Sequence, residues 1–96
     1  MSRDEVFKFR LYVAGDSVNS VQARANLDAL CRAHLAGRGE VEIVDVFRDP
    51  RRALADGILM TPTLVKLAPL PVRKIIGTLS QTLTVLQALG LDATTP

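Results

Sequence analysis

Cysteine, net charge and long apolar runs are all scarce in this sequence of 96 residues, and each shortage excludes a class of protein. The single cysteine, Cys31, excludes an internal disulfide framework, a CxxC redox pair and a cysteine-rich zinc site. The apolar runs fall far short of the roughly 20 residues that a membrane-spanning helix needs. Asp4 and Glu5 stand where a signal peptide would have its hydrophobic core. We therefore expect a soluble, cytoplasmic protein that does not act at a membrane.

The charge balance is close to neutral, with 12 basic and 10 acidic residues and a formal net charge of +2. The small excess is spread along the chain, so it does not form the electrostatic footprint of a nucleic-acid-binding protein. What the sequence has in quantity is apolar residues, which make up 48% of the chain against 23% charged. This composition is typical of a globular protein, and the length predicts one domain over residues 1–96.

The spacing of the apolar residues predicts seven elements in the order β-α-β-α-β-β-α. An alternation of period two indicates a strand, and a spacing of three and four residues indicates a helix. Serine, threonine, aspartate and asparagine favour the start of a helix, and glycine favours its end. The predicted strands cover residues 7–13, 41–47 (an interior strand), 63–67 and 72–76. The predicted helices are a first one capped by Asn19 or Ser20 and closed by Gly37 or Gly39, a short one over 51–56 capped by Asp49 with Pro50 as its first residue, and a last one over 81–89 capped by Ser80.

The connections between these elements predict a four-stranded mixed sheet with helices on both faces. The first helix joins two parallel strands and should cross over with right-handed geometry. The last two strands are close enough in sequence to pair as a hairpin. This is the minimal thioredoxin-like arrangement of the α/β class. In the last helix, we expect Leu79, Leu83, Leu86 and Leu89 to face the sheet.

Candidate catalytic residues are isolated from one another in the sequence. Cys31 lies on the apolar face of the first helix, and we expect it to pack in the core. His34 is interpreted as a helix-end histidine, not a metal ligand, and Asp45 as a strand-end carboxylate bonded to backbone amides. The sequence has no Ser/His/Asp or Cys/His arrangement, phosphate-binding loop or HExxH motif. We therefore expect a protein that is not an enzyme and binds neither a metal nor another cofactor.

Several short motifs, in a fixed order from about residue 7 to residue 91, together resemble the KaiB family. KaiB proteins are small clock proteins that act on the ring-shaped ATPase KaiC. The residues that carry the resemblance are Leu11-Tyr12-Val13-Ala14-Gly15, Asn19-Ser20-Val21, Val44-Asp45-Val46, Asp49-Pro50, Thr61-Pro62-Thr63-Leu64, Pro69, Pro71-Val72-Arg73-Lys74-Ile75-Ile76-Gly77 and Leu79-Ser80.

The resemblance implies a thioredoxin-like protein without redox chemistry that exchanges between two folds. KaiB proteins have a resting form, usually a tetramer, with a rearranged C-terminal half, and a thioredoxin-like monomer that docks on KaiC and then sequesters KaiA. It also implies a cis peptide bond before Pro62. We interpret Pro62, Pro69 and Pro71 as the residues that gate this metamorphic exchange. The resemblance leaves open a monomer, a dimer or a tetramer.

For function, the resemblance implies a regulator that binds a KaiC-type ATPase and modulates its phosphorylation or ATP turnover, in circadian or stress-related timing. KaiA or a histidine kinase are the further partners that it implies. The candidate contacts to an acidic patch on the partner are Arg48, Arg51, Arg52, Arg73 and Lys74. Two alternatives come from other classes: a redox or stress protein on a thioredoxin scaffold, and a sensor domain similar to that of the kinase SasA acting on a histidine kinase.

The sequence departs from the usual KaiB pattern mainly near its C-terminal end. Thr78 stands where the family usually has Asp, and Leu70 interrupts the proline run. Ala88, Gly90 and Ala93 stand where Gly, Asp and Tyr are common, and the acidic tail is absent. In these respects the chain is similar to KaiB-like proteins of bacteria that lack a complete oscillator.

These departures predict that the thioredoxin-like form is the resting state and that residues 81–89 are helical in the free protein. Alanine in place of glycine at position 88 favours a helix by about 0.8–1 kcal/mol, and Gly90 supplies a helix stop. The measurement is the backbone chemical shifts of the free protein. Helical shifts with a single set of peaks are expected, and strand-like shifts over residues 82–89 would contradict the prediction.

Overall fold

The computed structural model describes residues 5–91 and confirms the predicted order β-α-β-α-β-β-α. Within those residues, no helix is long and apolar enough to cross a membrane. The elements are β1 (Phe7–Val13), α1 (Val18–His34), β2 (Gly39–Asp45), α2 (Pro50–Ala55), β3 (Thr63–Ala68), β4 (Arg73–Ile76) and α3 (Thr82–Ala88).

The four strands form one mixed sheet in the order β2-β1-β3-β4. β1 pairs in parallel with β2 over its whole length, and in antiparallel fashion with β3. β3 and β4 form the predicted hairpin, with Thr63 opposite Ile76. β2 was predicted to be an interior strand, and this is wrong because β2 lies at the edge of the sheet. The reason lies in the apolar residues Val41 and Ile43, which alternate with Glu40 and Glu42 along β2. Their side chains are about 40% exposed, so the apolar face of β2 is only partly covered.

The larger core lies between the sheet and the two helices α1 and α3. Alternate residues of β1 point to this face, as the period of a strand requires. Because all of these residues of β1 are apolar and buried, this side of β1 is excluded from solvent along the full length of the strand. The core consists of Phe7, Phe9, Leu11, Val13, Ala23, Leu27, Leu30, Leu35, Leu64, Leu79, Val85, Leu86 and Leu89.

A smaller core lies on the opposite face of the sheet, beneath α2. It contains Tyr12, Val44, Ala53, Ile58 and Val65. Since α2 has only six residues and contributes a single buried side chain, apolar contacts alone hold it weakly. The helices therefore cover both faces of the sheet, as predicted, but with unequal cores.

The helix starts differ from the predicted ones at two positions. α1 begins at Val18 with Ser17 as its N-cap, whose hydroxyl accepts a hydrogen bond from the Ser20 amide at 3.4 Å. The Ser20 hydroxyl accepts instead from the amide of Ala14, so Ser20 ties the helix back to the end of β1. α3 begins at Thr82 after Gln81, with no side-chain cap, so Ser80 does not cap it. α1 ends at His34 with Leu35 as its C-cap, so it closes earlier than the predicted Gly37 or Gly39, and Gly37, with a φ of 83°, lies in the turn that follows.

The other helix predictions are mostly confirmed. Asp49 is the N-cap of α2 and Pro50 its first residue, although the Asp49 side chain makes no capping hydrogen bond. In α3, Leu86 and Leu89 face the sheet, but Leu83 is 64% exposed. Val85 is buried in place of Leu83. The buried face of this short helix consists of Val85, Leu86 and Leu89, and Leu83 lies outside that face.

This placement predicts unequal effects of two leucine truncations one turn apart in α3. Leu86→Ala should lower the free energy of unfolding by about 2–5 kcal/mol, because it opens a cavity in the larger core. Leu83→Ala, the matched control, should change it by about 0.5 kcal/mol or less, because that side chain is mostly in solvent. Urea unfolding followed by circular dichroism measures both, and equal losses would place Leu83 in the core.

Candidate functional site

Five polar side chains fasten α2 to the sheet in a connected set that we call the α2 network. The parallel register places Arg10 of β1 opposite Glu42 of β2, and the Arg10 Nε donates to the Glu42 Oε1 at 2.9 Å. Arg10 Nη1 donates to Asp56 Oδ2 at 2.9 Å, and the buried Tyr12 hydroxyl donates to the same oxygen. Arg52 of α2 donates to both carboxylate oxygens of Glu42, at 2.8 and 2.9 Å. The network thus joins the last turn of α2 and its C-cap to two strands.

The charges of the α2 network reinforce one another. Hydrogen bonds from Arg52 and Arg10 lower the pKa of Glu42 to about 2. The Tyr12 hydroxyl bond, followed by Arg10, lowers the pKa of Asp56, while burial raises the pKa of the Tyr12 phenol. Both carboxylates are therefore ionised at neutral pH, where they hold the two arginines in fixed positions.

The three arginines predicted to contact a partner around Asp49-Pro50 do not have the same surroundings. Arg48 is almost fully exposed, with its Nε 4.0 Å from Asp45 Oδ2. Arg51 is also exposed. Arg52 is engaged by Glu42 in the α2 network and is not available as a free cation. The partner-binding role of all three stays a prediction, and the geometry favours Arg48 and Arg51 for it.

Arg73 and Lys74, also predicted to contact the partner, lie on opposite faces of β4. Ile75 packs against the larger core, so the alternation of the strand places Arg73 on that face as well. Lys74 lies on the α2 face, where its Nζ donates to the carbonyl oxygen of Asp56 at 2.5 Å. The structure thus brings Lys74 to the end of α2 and separates Arg73 from it.

The three prolines named from the sequence all follow cis peptide bonds. The Thr61-Pro62 bond is cis, as the resemblance implied, and it precedes β3 directly. The Ala68-Pro69 and Leu70-Pro71 bonds at the tip of the β3–β4 hairpin are cis as well. The carbonyl of Pro62 accepts a hydrogen bond from the Gly77 amide at 2.9 Å, which closes the other end of the hairpin. The gating role of these prolines stays a prediction.

Sequence reasoning missed a group of exposed apolar side chains on α2 and its two flanking loops. Leu59 is 92% exposed, and the remaining members are more than half exposed. A signal was present in the apolar run Ile58-Leu59-Met60, of which the small core buries only Ile58. Together with the two exposed arginines they form what we call the α2 surface: Phe47, Arg48, Arg51, Leu54, Leu59 and Met60.

Thioredoxin enzymes carry their reactive cysteines where the first strand turns into the first helix, and the corresponding turn here, residues 14–20, has none. Cys31 lies about three turns into α1, partly buried against the larger core. Burial, aided by Asp28, raises the pKa of the Cys31 thiol, which is the opposite of what thiol chemistry needs. The predicted packing of Cys31 is therefore confirmed in position, although the side chain is only partly covered.

Asp45 plays the structural role that the sequence suggested. Its Oδ1 accepts hydrogen bonds from the amides of Gly15, at 3.2 Å, and Phe47, at 2.9 Å. His34 is the last residue of α1, as expected. Within the described part of the chain, no three histidine, cysteine, aspartate or glutamate side chains lie close enough to hold a metal ion.

Solved structures with the same architecture define the class of protein. The N-terminal domain of Synechococcus elongatus SasA superposes with a TM-score of 0.74 at 19% identity, covering 96% of this chain and 90% of that one. Chloroplastic thioredoxin z superposes with a TM-score of 0.71 at 19% identity, covering 90% of this chain and 80% of that one. Residues 5–91 thus form a thioredoxin-like domain whose first turn carries no cysteine.

Sequence comparison places the chain within that class. The KaiB domain family model matches residues 10–91. The circadian clock protein KaiB3 of a Synechocystis species is 48% identical over 83 residues, which cover 86% of this chain and 79% of that protein. The circadian clock oscillator protein KaiB of Synechococcus elongatus is 44% identical over 92 residues, covering 96% and 88% respectively. The chain belongs to the KaiB family.

The low pKa of Glu42 predicts how acid destabilises the protein. As the pH falls from 4.5 towards about 2, the unfolded chain binds a proton at Glu42 before the folded chain does, so stability is lost over that range. Glu42→Gln should lower stability at neutral pH and flatten this part of the pH dependence, so that the variant and the parent converge near the acid end. The urea midpoint as a function of pH measures the effect.

Glu40→Gln, on the same strand but outside the α2 network, is the matched control. Its stability should follow that of the parent at every pH. Since the Glu42 side chain is 47% exposed, the difference between the two variants should be modest. If the urea midpoints of Glu42→Gln and the parent changed with pH by the same amount, without converging at low pH, the ionised Glu42 would not stabilise the folded state.

Proposed function

We propose that this chain is a non-enzymatic KaiB-like regulator that binds a KaiC-type ATPase and modulates its phosphorylation or ATP turnover, in circadian or stress-related timing. Membership of a family whose relatives are circadian clock proteins supports this. The single observation that carries it is the α2 surface, which combines exposed apolar side chains with the two exposed arginines Arg48 and Arg51. KaiA or a histidine kinase are further candidate partners, and the chain acts as a monomer or a homo-oligomer.

The composition of the α2 surface is that of a protein-binding site. Exposed apolar side chains that are grouped, here on α2 and its two flanking loops, mark interaction sites more often than isolated ones do. Interfaces are enriched in aromatic residues, methionine and arginine, all of which occur here. Phe47 and Met60 can enter apolar depressions on a partner, while Arg48 and Arg51 fit acidic groups at its rim. The preferred partner therefore has an apolar docking face bordered by carboxylates.

The α2 network prepares this surface for binding. Arg52 in the last turn of α2 and its C-cap Asp56 are already tied to the sheet through Glu42 and Arg10. A helix that is fixed before binding has little conformational entropy left to lose on association. The role of Arg52 is thus to position α2, while the neighbouring Arg51 is free to contact the partner.

A double charge reversal tests this surface directly. Arg48→Glu with Arg51→Glu should weaken binding to a KaiC-type ATPase by about tenfold or more, because exposed pairs worth about 0.2–1 kcal/mol each become repulsive. Arg52 is left unchanged, because reversing it would break the α2 network and confuse folding with binding. Affinity is measured by isothermal titration calorimetry at two salt concentrations.

The matched control is the double reversal Lys8→Glu with Arg32→Glu, at exposed positions on β1 and α1 that belong neither to the α2 surface nor to the α2 network. It changes the net charge equally and should leave the affinity within about twofold of the parent. If the parent binds and both double variants bind with the same affinity, the interface lies elsewhere. No binding by the parent would refute the proposed function itself.

A further inference from the structure

Two lysines of the sheet reach the C-terminal ends of the two short helices, one on each face. On β3, the Nζ of Lys66 donates to the carbonyl of Leu89, the C-cap of α3, at 3.4 Å. On β4, Lys74 donates to the carbonyl of Asp56, the C-cap of α2. The last carbonyls of a helix lack partners within the helix and carry partial negative charge, so an ammonium group is favourable there.

Lys66 differs from Lys74 in being almost completely buried. It is 4% exposed, whereas Lys74 is exposed to solvent. A buried ammonium group is costly unless a polar group compensates it, and within residues 5–91 the hydrogen bond of its Nζ is the one to Leu89. Burial, together with the charge of Arg73, lowers the pKa of Lys66. Burying a lysine at this position is therefore unfavourable, and the contact of its ammonium group with the end of α3 offsets part of that cost.

α3 has few other devices to hold its ends. It has seven residues, no side-chain bond from its N-cap Gln81, no acidic residue in its first turn and no basic residue in its last. Helices this short are unstable in isolation, so α3 depends on tertiary contacts. Those contacts are the apolar side chains of Val85, Leu86 and Leu89 and, at the C-terminal end, Lys66.

We propose that Lys66 is a conformational latch that fixes the C-terminal end of α3 on the sheet. Without it, α3 opens as a separate unit while the core between β1 and α1 stays closed. Local opening of one cooperative unit at lower free energy than global unfolding is a general property of proteins. The latch is independent of the α2 surface, because Lys66 lies on the opposite face of the sheet from α2.

Native-state amide hydrogen exchange of Lys66→Met tests the latch. The amides of Leu89 and Leu91, which bond to the carbonyls of Val85 and Leu86, should exchange about tenfold faster than in the parent. Amides within β1 and α1 should exchange no faster, because an apolar side chain in place of a buried charge does not weaken the core. The combination of a faster α3 with an unchanged core is the expected result.

Lys74→Met is the matched control, since it removes the equivalent contact at an exposed site. The Asp56 amide, which bonds to the carbonyl of Arg52, should change by less than about threefold, because solvent already competes with Lys74. Equal acceleration of all amides in Lys66→Met would make Lys66 a general stability residue and overturn the proposal. Unchanged α3 amides would overturn it as well.

A second variant, Lys66→Gln, keeps a hydrogen-bond donor and removes the charge. It replaces Lys66→Met as the test if that variant does not fold, and hydrogen exchange of the Leu89 and Leu91 amides is measured in the same way. We expect these amides to exchange faster than in the parent, but by less than about tenfold, since only the charge–dipole part of the contact is lost. Exchange at the parent rate in Lys66→Gln would contradict a latch that depends on the ammonium charge.

Discussion

The two faces of strand β1 decide how the remaining elements are held. One row of its side chains is entirely apolar and supports α1 and α3 through the larger core. The other row contains Arg10 and Tyr12, which cannot be buried without partners. Parallel pairing supplies Glu42 to Arg10, and the end of α2 supplies Asp56 to both. α2 is thus attached largely through charges and hydrogen bonds, so its one large apolar side chain, Leu54, is not needed for the core and remains exposed.

Much of the fold could be predicted because it depends on local patterns. The alternation in β1 and the Asp49-Pro50 start of α2 are short-range signals, and both were confirmed. The wrong predictions depend on distant neighbours. Whether β2 is an edge strand is decided by the strand order, and the side of α3 that is buried is decided by how the helix packs against the larger core.

The candidate site shows the same division. The sequence predicted a cluster of cations, but only folding shows that Arg52 is engaged by a glutamate ten residues away and that β4 separates Arg73 from Lys74. Lys66 was not noticed at all, because nothing in its immediate sequence indicates that its ammonium group meets the end of a helix 23 residues later. Such distant pairings distinguish side chains that are available to a partner from those that hold the fold.

Tyr12 also gives the protein an intrinsic optical reporter. The sequence has one tyrosine and no tryptophan, so near-ultraviolet absorption and emission above the phenylalanine range originate from a single phenol. That phenol is fully buried and donates to the carboxylate of Asp56, which lies directly after α2. Its spectrum therefore reports on the attachment of α2 to the sheet, and a change in that attachment can be followed without a label.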